Sequence, residues 1–187
     1  MTDHGEFLDG GTLRFVRRLP GPIERVWAYL TEPAKRALWF ADGETSPAPG
    51  GKVEFKFDHS RLSDHDDPYP EKYKEMEQGV EFEGETLIYE PPHLLALLWP
   101  EAAGGDDTKV TFRLSEEGDD VRLELLHERI SSADDLYSAA AGWHVHFGIL
   151  IARLAGDAPD PFWAPHERLA RDYEKRFSGL KDRLYKG

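Results

Sequence analysis

Between Ala139 and Ala155 the chain reads AAAGWHVHFGILIARLA and carries no charge until Arg153. Trp143, Phe147, Leu150 and Leu154 recur at helical spacing, with Val145, Ile149 and Ala152 between them. The resulting apolar stripe is too wide for an ordinary surface helix. Gly142, His144, His146 and Arg153 interrupt it too often for a membrane span. Such a helix must be covered, and the strand-like segments that precede it are what can cover it.

Those segments have the period of half-buried strands. Leu13, Phe15 and Leu19 alternate with Arg14 and Arg18, although Arg17 falls on the apolar parity. After Pro22, Ile23, Val26, Trp27 and Leu30 form the face of a short helix, and Pro33 separates it from a second one over Ala34–Phe40. Pro49-Gly50-Gly51 is a turn, followed by a strand with Val53, Phe55 and Phe57 on one parity. Asp58 to Gln78 reads as a surface insertion, with a helical turn near Glu71–Met76. Val80–Tyr89 and Leu94–Trp99 are strands, the latter apolar enough for a central strand covered on both sides. Turns at Glu101–Asp107 and Glu116–Asp120 flank a strand carrying Val110, Phe112 and Leu114, and Val121, Leu123, Leu125 and His127 follow on the apolar parity of the next. Hairpin connections make the sheet antiparallel. Ser131, Ser132 and Asp134 offer N-caps to the long helix and Gly156 a stop. The layout is α+β: a curved antiparallel sheet, two short N-terminal helices, and a long C-terminal helix gripped by the sheet. Residues 1–11 are expected as a flexible arm, 12–157 as one domain and 158–187 as a helical extension.

Composition excludes some classes of function. The formal net charge of -13 repels phosphate backbones and anionic membrane surfaces, so neither nucleic acid nor a membrane is an expected partner. With no cysteine there is neither disulfide nor thiol chemistry, which suits a reducing cytoplasm. The first residues, MTDHGEFLDGG, are polar and hold no apolar signal segment.

Five stretches in register carry a family resemblance: VWAYLTEPAKRALWF, PGGKVEFKF, GETLIYEPPHLLALLW, VRLELLHERI and GWHVHFGILIARL. In this order, over roughly Leu13–Ala155, they resemble the START-like, helix-grip SRPBCC superfamily, in the branch homologous to the activator of the heat-shock-protein-90 ATPase. The resemblance implies a sheet of seven-strand type wrapped around the C-terminal helix, with an internal cavity. It transfers little activity, because members include lipid carriers, hormone receptors, cyclases and a chaperone activator. Two features stand out against the branch: the insertion at 58–78 is longer than expected, and the tail PFWAPHERLARDYEKRF lies beyond the shared domain, although it resembles a tail of some bacterial members. Nothing in the chain corresponds to the additional domain of the eukaryotic activator.

The expected function is binding of a small hydrophobic or amphipathic ligand, a lipid among the candidates, between sheet and helix, without catalysis. The residues expected to line the site are Trp39, Phe55, Phe57, Tyr89, Trp99, His127, Trp143, His144, His146, Phe147 and Leu150. The alternatives are an enzyme of cyclase, dehydratase or hydrolase type, with His127, His144, His146 or Glu85 as acid or base, and a chaperone partner. Each histidine also reads as a satisfied structural residue. His144 and His146, two apart on a helix, point about 200° apart and cannot share a metal; Asp64-His65-Asp66-Asp67 lacks the spacing of a calcium loop. No metal and no cofactor are expected. Leu169, Tyr173, Phe177, Leu180 and Leu184 form a narrow apolar stripe that packs on its own domain or, alternatively, on a second copy in a homodimer.

Overall fold

Strict alternation of apolar and polar residues aims one face of each strand at the long helix, and that alternation builds the fold. The structure, a computed structural model, describes residues 4–8, 10–100 and 107–180. Seven strands form one antiparallel sheet: β1 (Glu6–Leu8), β2 (Thr12–Pro20), β3 (Lys52–Phe57), β4 (Val80–Glu90), β5 (Leu94–Trp99), β6 (Thr108–Glu117) and β7 (Asp120–Glu128). Their order across the sheet is β1-β2-β7-β6-β5-β4-β3. Along β7, Val121, Leu123, Leu125 and His127 are buried while Arg122, Glu124, Leu126 and Glu128 are only half-buried. Helices α1 (Ile23–Thr31) and α2 (Pro33–Arg36) follow β2, and α3 (Ala133–Ala155) and α4 (Trp163–Phe177) follow β7.

Helix α3 lies in the concave face. Its Leu136, Ala140, Trp143, Phe147, Leu150 and Leu154 are buried against Phe15, Val110, Phe112 and Leu125 of the sheet in one apolar core. Ser132 is the N-cap, its hydroxyl accepting from the Asp135 N–H at 3.1 Å. Gly156 ends the helix at φ 83, in the left-handed region. Arg25 of α1 donates to the Leu154 carbonyl at 2.8 Å, placing a cation on the carbonyl end of α3.

Several expectations change. Glu6–Leu8, placed in the flexible arm, pairs with β2 as an edge strand. The second short helix stops at Arg36 because Leu38 and Trp39 bond three residues back, tightening the chain toward Phe40. β5 has Leu95, Ala96 and Leu97 buried, but Leu94 and Leu98 on its outer side are only half-covered. The turn at Glu101–Asp107 falls on residues 101–106, outside the described residues. Asp58 to Gln78 is more than a surface loop: His59, Leu62 and Tyr69 within it are buried.

Two arginines are buried, and of these only Arg17 stood out in the sequence, on the apolar parity of β2. Arg17 lies under the sheet with its guanidinium 4.9 Å from the Phe15 ring and 5.7 Å from that of Phe147. Arg36 donates to the carbonyls of Ala41, Gly43 and Glu54 at 2.9, 2.7 and 2.6 Å and to the Thr45 hydroxyl at 2.6 Å. It holds the segment between α2 and β3, and burial lowers its pKa to about 10.

The tail stripe is used within the chain. Leu169, Tyr173 and Phe177 are buried on the molecule's own surface, and the Tyr173 hydroxyl accepts from the Gly5 N–H at 2.7 Å. The face that was the alternative homodimer contact is therefore covered by this chain's own α3 and N-terminal strand. The Leu180 side chain and Leu184 lie outside the described residues.

Candidate functional site

The sheet does not close fully on α3. A cavity of about 300 Å³ remains between them. Its floor is aromatic, with Phe57 of β3, Phe82 of β4, Trp99 of β5 and Phe40 before β3 meeting Trp143 of α3. Phe40 stacks on Trp143 at 5.0 Å, and Trp99 packs on Phe82 at 4.9 Å. On the α3 side Gly142 lines the space, and a Cβ there would meet no atom within 4 Å.

Two segments outside the strand-and-helix frame close it. The 58–78 insertion contributes His59, Tyr73 and Met76, and the entry to α4 contributes Phe162, Trp163 and His166. They pack on each other: Tyr73 stacks on Trp163 at 5.0 Å, and His59 meets Phe162 at 4.2 Å. Asp67 of the insertion accepts from the backbone N–H groups of Trp163 and Ala164, at 2.5 and 3.4 Å. A carboxylate at the positive end of a helix satisfies donors that the chain itself leaves open. The insertion is thus latched to α4. Asp64, His65 and Asp66 beside it are exposed, and no cluster of three or more metal-ligating side chains exists among the described residues.

Hydrogen-bond partners fix the state of two cavity histidines. The indole N–H of Trp143 can only donate, so Nδ1 of His127, 3.2 Å away, is the unprotonated nitrogen. His127 Nε2 then donates to the Thr108 hydroxyl at 2.9 Å, and that hydroxyl donates to the Trp99 carbonyl at 3.3 Å. Both nitrogens of His127 are engaged, and desolvation pushes its pKa down to about 4. Neither ring nitrogen is left unpartnered. His146 is different. Its Nδ1 lies 2.7 Å from the Trp39 carbonyl, which can only accept, so Nδ1 carries the proton. Burial holds the ring neutral, so Nε2 keeps a lone pair. Nε2 has no hydrogen-bond partner among the described residues.

His59 and His166 complete the polar end. Desolvation lowers each to about 4; the neighbouring His166 lowers His59 further, while the Ser138 carbonyl partly offsets the effect on His166. Nδ1 of each is buried without a hydrogen-bond partner among the described residues.

Of the residues expected to line the site, Phe57, Trp99, His127, Trp143 and His146 do. Trp39 and Phe55 lie one layer behind: Trp39 stacks on Phe40 at 5.2 Å, and Phe55 packs on Trp99 at 4.8 Å. Phe147 and Leu150 are fully buried further along α3. Tyr89 packs on Trp27 at 5.2 Å, away from the cavity. His144 points to the opposite side of α3, with Nδ1 2.9 Å from the Tyr173 hydroxyl. Glu85 sits on the outer face. A register shift between Thr86 and Ile88 moves Tyr89 inward while Glu85 stays with Glu81 and Glu83 outside. His59, His166, Phe162 and Trp163 were missed. The available signal was the pair Phe162-Trp163, too large and apolar for a linker.

The comparisons with known proteins agree with this architecture. The model of the family described as Activator of Hsp90 ATPase homolog 1-like protein matches residues 20–155. A solution NMR structure of a Bordetella parapertussis protein is 42% identical, with a TM-score of 0.79, covering 92% of this chain and 90% of that one. CalU16 from Micromonospora echinospora is 24% identical at a TM-score of 0.66, covering 93% and 88%. A conserved protein of unknown function from Enterococcus faecalis is 19% identical at 0.65, covering 94% and 91%. The latter two show likeness of fold alone. No match was found among curated protein sequences. The strands, the gripped helix and the matched span together place this chain in the family of Activator of Hsp90 ATPase homolog 1-like proteins, with the helix-grip fold.

Proposed function

We propose that the protein binds a small apolar or amphipathic molecule in the cavity between sheet and α3 and does not transform it. The observation that carries this reading is the cavity of about 300 Å³, floored by aromatic rings and closed by the insertion latched to α4. The volume is at the lower end for ligand pockets, which run from roughly 300 to 1,000 Å³, and favours a compact ring molecule over a long-chain lipid. The absence of cysteine supports a site of action in the reducing cytoplasm. A chaperone-partner role has only the family description behind it.

The test is titration with an environment-sensitive apolar dye, comparing the natural chain with Gly142→Leu. Leucine suits a helix and extends into space that a Cβ at Gly142 finds open. Saturable binding to the natural chain, lost in a folded Gly142→Leu variant, is expected. No saturable binding, or equal binding by both, overturns the proposal.

A second reading, an acid–base enzyme of cyclase, dehydratase or hydrolase type, is favoured by His146, whose Nε2 lone pair is held in place through the Trp39 carbonyl. It predicts that a molecule captured from cell extract is chemically altered by the natural chain and left unaltered by His146→Asn. Recovery of the same unaltered molecule from both argues against turnover.

A further inference from the structure

We infer that the cavity selects a molecule that donates a hydrogen bond and carries no negative charge, its donor meeting the nitrogens of His146, His59 and His166. This rests on the cavity being a binding site, and adds which molecules it takes.

Among the described residues, His146, His59 and His166 each leave a ring nitrogen without a partner at that end, and Trp163 leaves an indole N–H, so a hydroxyl, which both donates and accepts, matches the set. His146 Nε2 is an acceptor, because its Nδ1 proton is committed to the Trp39 carbonyl. His59 and His166 each leave Nδ1 buried and unmatched among the described residues. All three rings gather round Phe162: its ring lies 4.2 Å from that of His59, 4.7 Å from that of His146 and 5.5 Å from that of His166. A buried ring nitrogen with no partner, as at Nδ1 of His59 and His166, costs free energy, and a hydroxyl or amine on the ligand recovers it. His59, free to take either tautomer, can donate back to a hydroxyl oxygen.

Charge points the same way. Among the described residues no lysine or arginine lines the cavity, and the carboxylate of Asp135 does. The rings are kept neutral by burial, so they offer an anion no counter-charge. The field of a chain with net charge -13 adds to the same bias. The segments that supply His59 and His166 are the insertion and the entry to α4, and the latter lies beyond the 20–155 span of the family model.

Three probes sharing one ring system separate the possibilities: 2-naphthol, 2-methoxynaphthalene and 2-naphthoate, titrated calorimetrically into the full chain near neutral pH. The expected order places 2-naphthol at least about tenfold tighter than the ether and the carboxylate. In His146→Asn, the side-chain amide keeps the donor to the Trp39 carbonyl and loses the Nε2 acceptor. The preference over the ether should then shrink to about threefold or less. If the ether or the carboxylate binds as tightly as the naphthol, the inference falls while cavity binding stands. If the apolar dye binds and none of the three probes does, the inference falls. If neither dye nor probes bind, cavity binding falls with it. An independent readout needs no variant. Imidazole nitrogen resonances at neutral pH should show His146 in the Nδ1–H form and uncharged His59 and His166, with the His146 Nε2 resonance moving on addition of 2-naphthol. A charged ring at any of these positions, or an Nε2 resonance that stays put while the probe binds, overturns the inference.

Discussion

Acidification from about pH 7.5 to about pH 5.5 should destabilise this protein well before its carboxylates are protonated. His59, His127 and His166 have pKa values lowered from 6.5 to about 4 by burial, and His146 lies well below 6.5 for the same reason. All four are less than a tenth exposed. The sign follows from proton binding. Above the ordinary histidine value neither state binds a proton at these rings, and their contribution is complete. Between there and about pH 4 the unfolded chain takes up protons that the folded chain refuses, so stability falls as pH falls. Each ring with a folded value of about 4 withdraws roughly 1.3 kcal/mol over this interval; His59, His127 and His166 together withdraw about 4 kcal/mol, and His146 adds to the loss in the same direction. A domain holds only about 5–15 kcal/mol in all. Thermal unfolding should therefore shift down by about 10–20 °C. Calorimetry in two buffers of different ionisation enthalpy should show about three to four protons taken up on unfolding at the lower pH. A stability unchanged over the interval, or an uptake below about one proton, would refute the assignment of four buried neutral imidazoles.

Gly142→Ala and Gly148→Ala should each stabilise α3 by about 1 kcal/mol, since a Cβ at either meets no atom within 4 Å. Only the first should weaken dye binding, because Gly142 lines the cavity and Gly148 is exposed; destabilisation by Gly142→Ala in urea unfolding would mean that the space is already filled. Arg36→Lys should cost about 2–4 kcal/mol in the same assay, since an ammonium cannot reach the carbonyls of Ala41, Gly43 and Glu54 together; a loss under about 1 kcal/mol would contradict the role given to that fork. Asp67→Ala should speed hydrogen exchange at Trp163 and Ala164 by roughly fivefold, a cap worth about 1 kcal/mol; unchanged exchange there would show that the latch does not hold α4.

Much of the frame was legible in the residues. Alternation along Val121–His127 and Val110–Leu114 set which side chains face inward, and the structure buries them. The uncharged stripe from Ala139 to Ala155 required a cover, and the Ser132 cap and Gly156 stop bound its helix. His144 and His146 had to diverge, and they do, one toward Tyr173 and one toward Trp39. Period and cap chemistry are local, so a single chain displays them.

What closes the cavity was not legible. Parity counting put Glu85 and Tyr89 on one face, but a single register shift in β4 separates them, and no residue type announces it. Phe147 and Leu150 share the stripe with Trp143, yet sit where sheet and helix touch; where the two part depends on how far the sheet curls. The insertion and the tail looked like peripheral additions because each is polar over most of its length. Only in three dimensions does Asp67 meet the first turn of α4, more than ninety residues later, and bring His59 and His166 over the same space. Secondary structure and core parity arise from neighbours along the chain; the cavity and its polar end arise from contacts between distant segments, which no periodicity records.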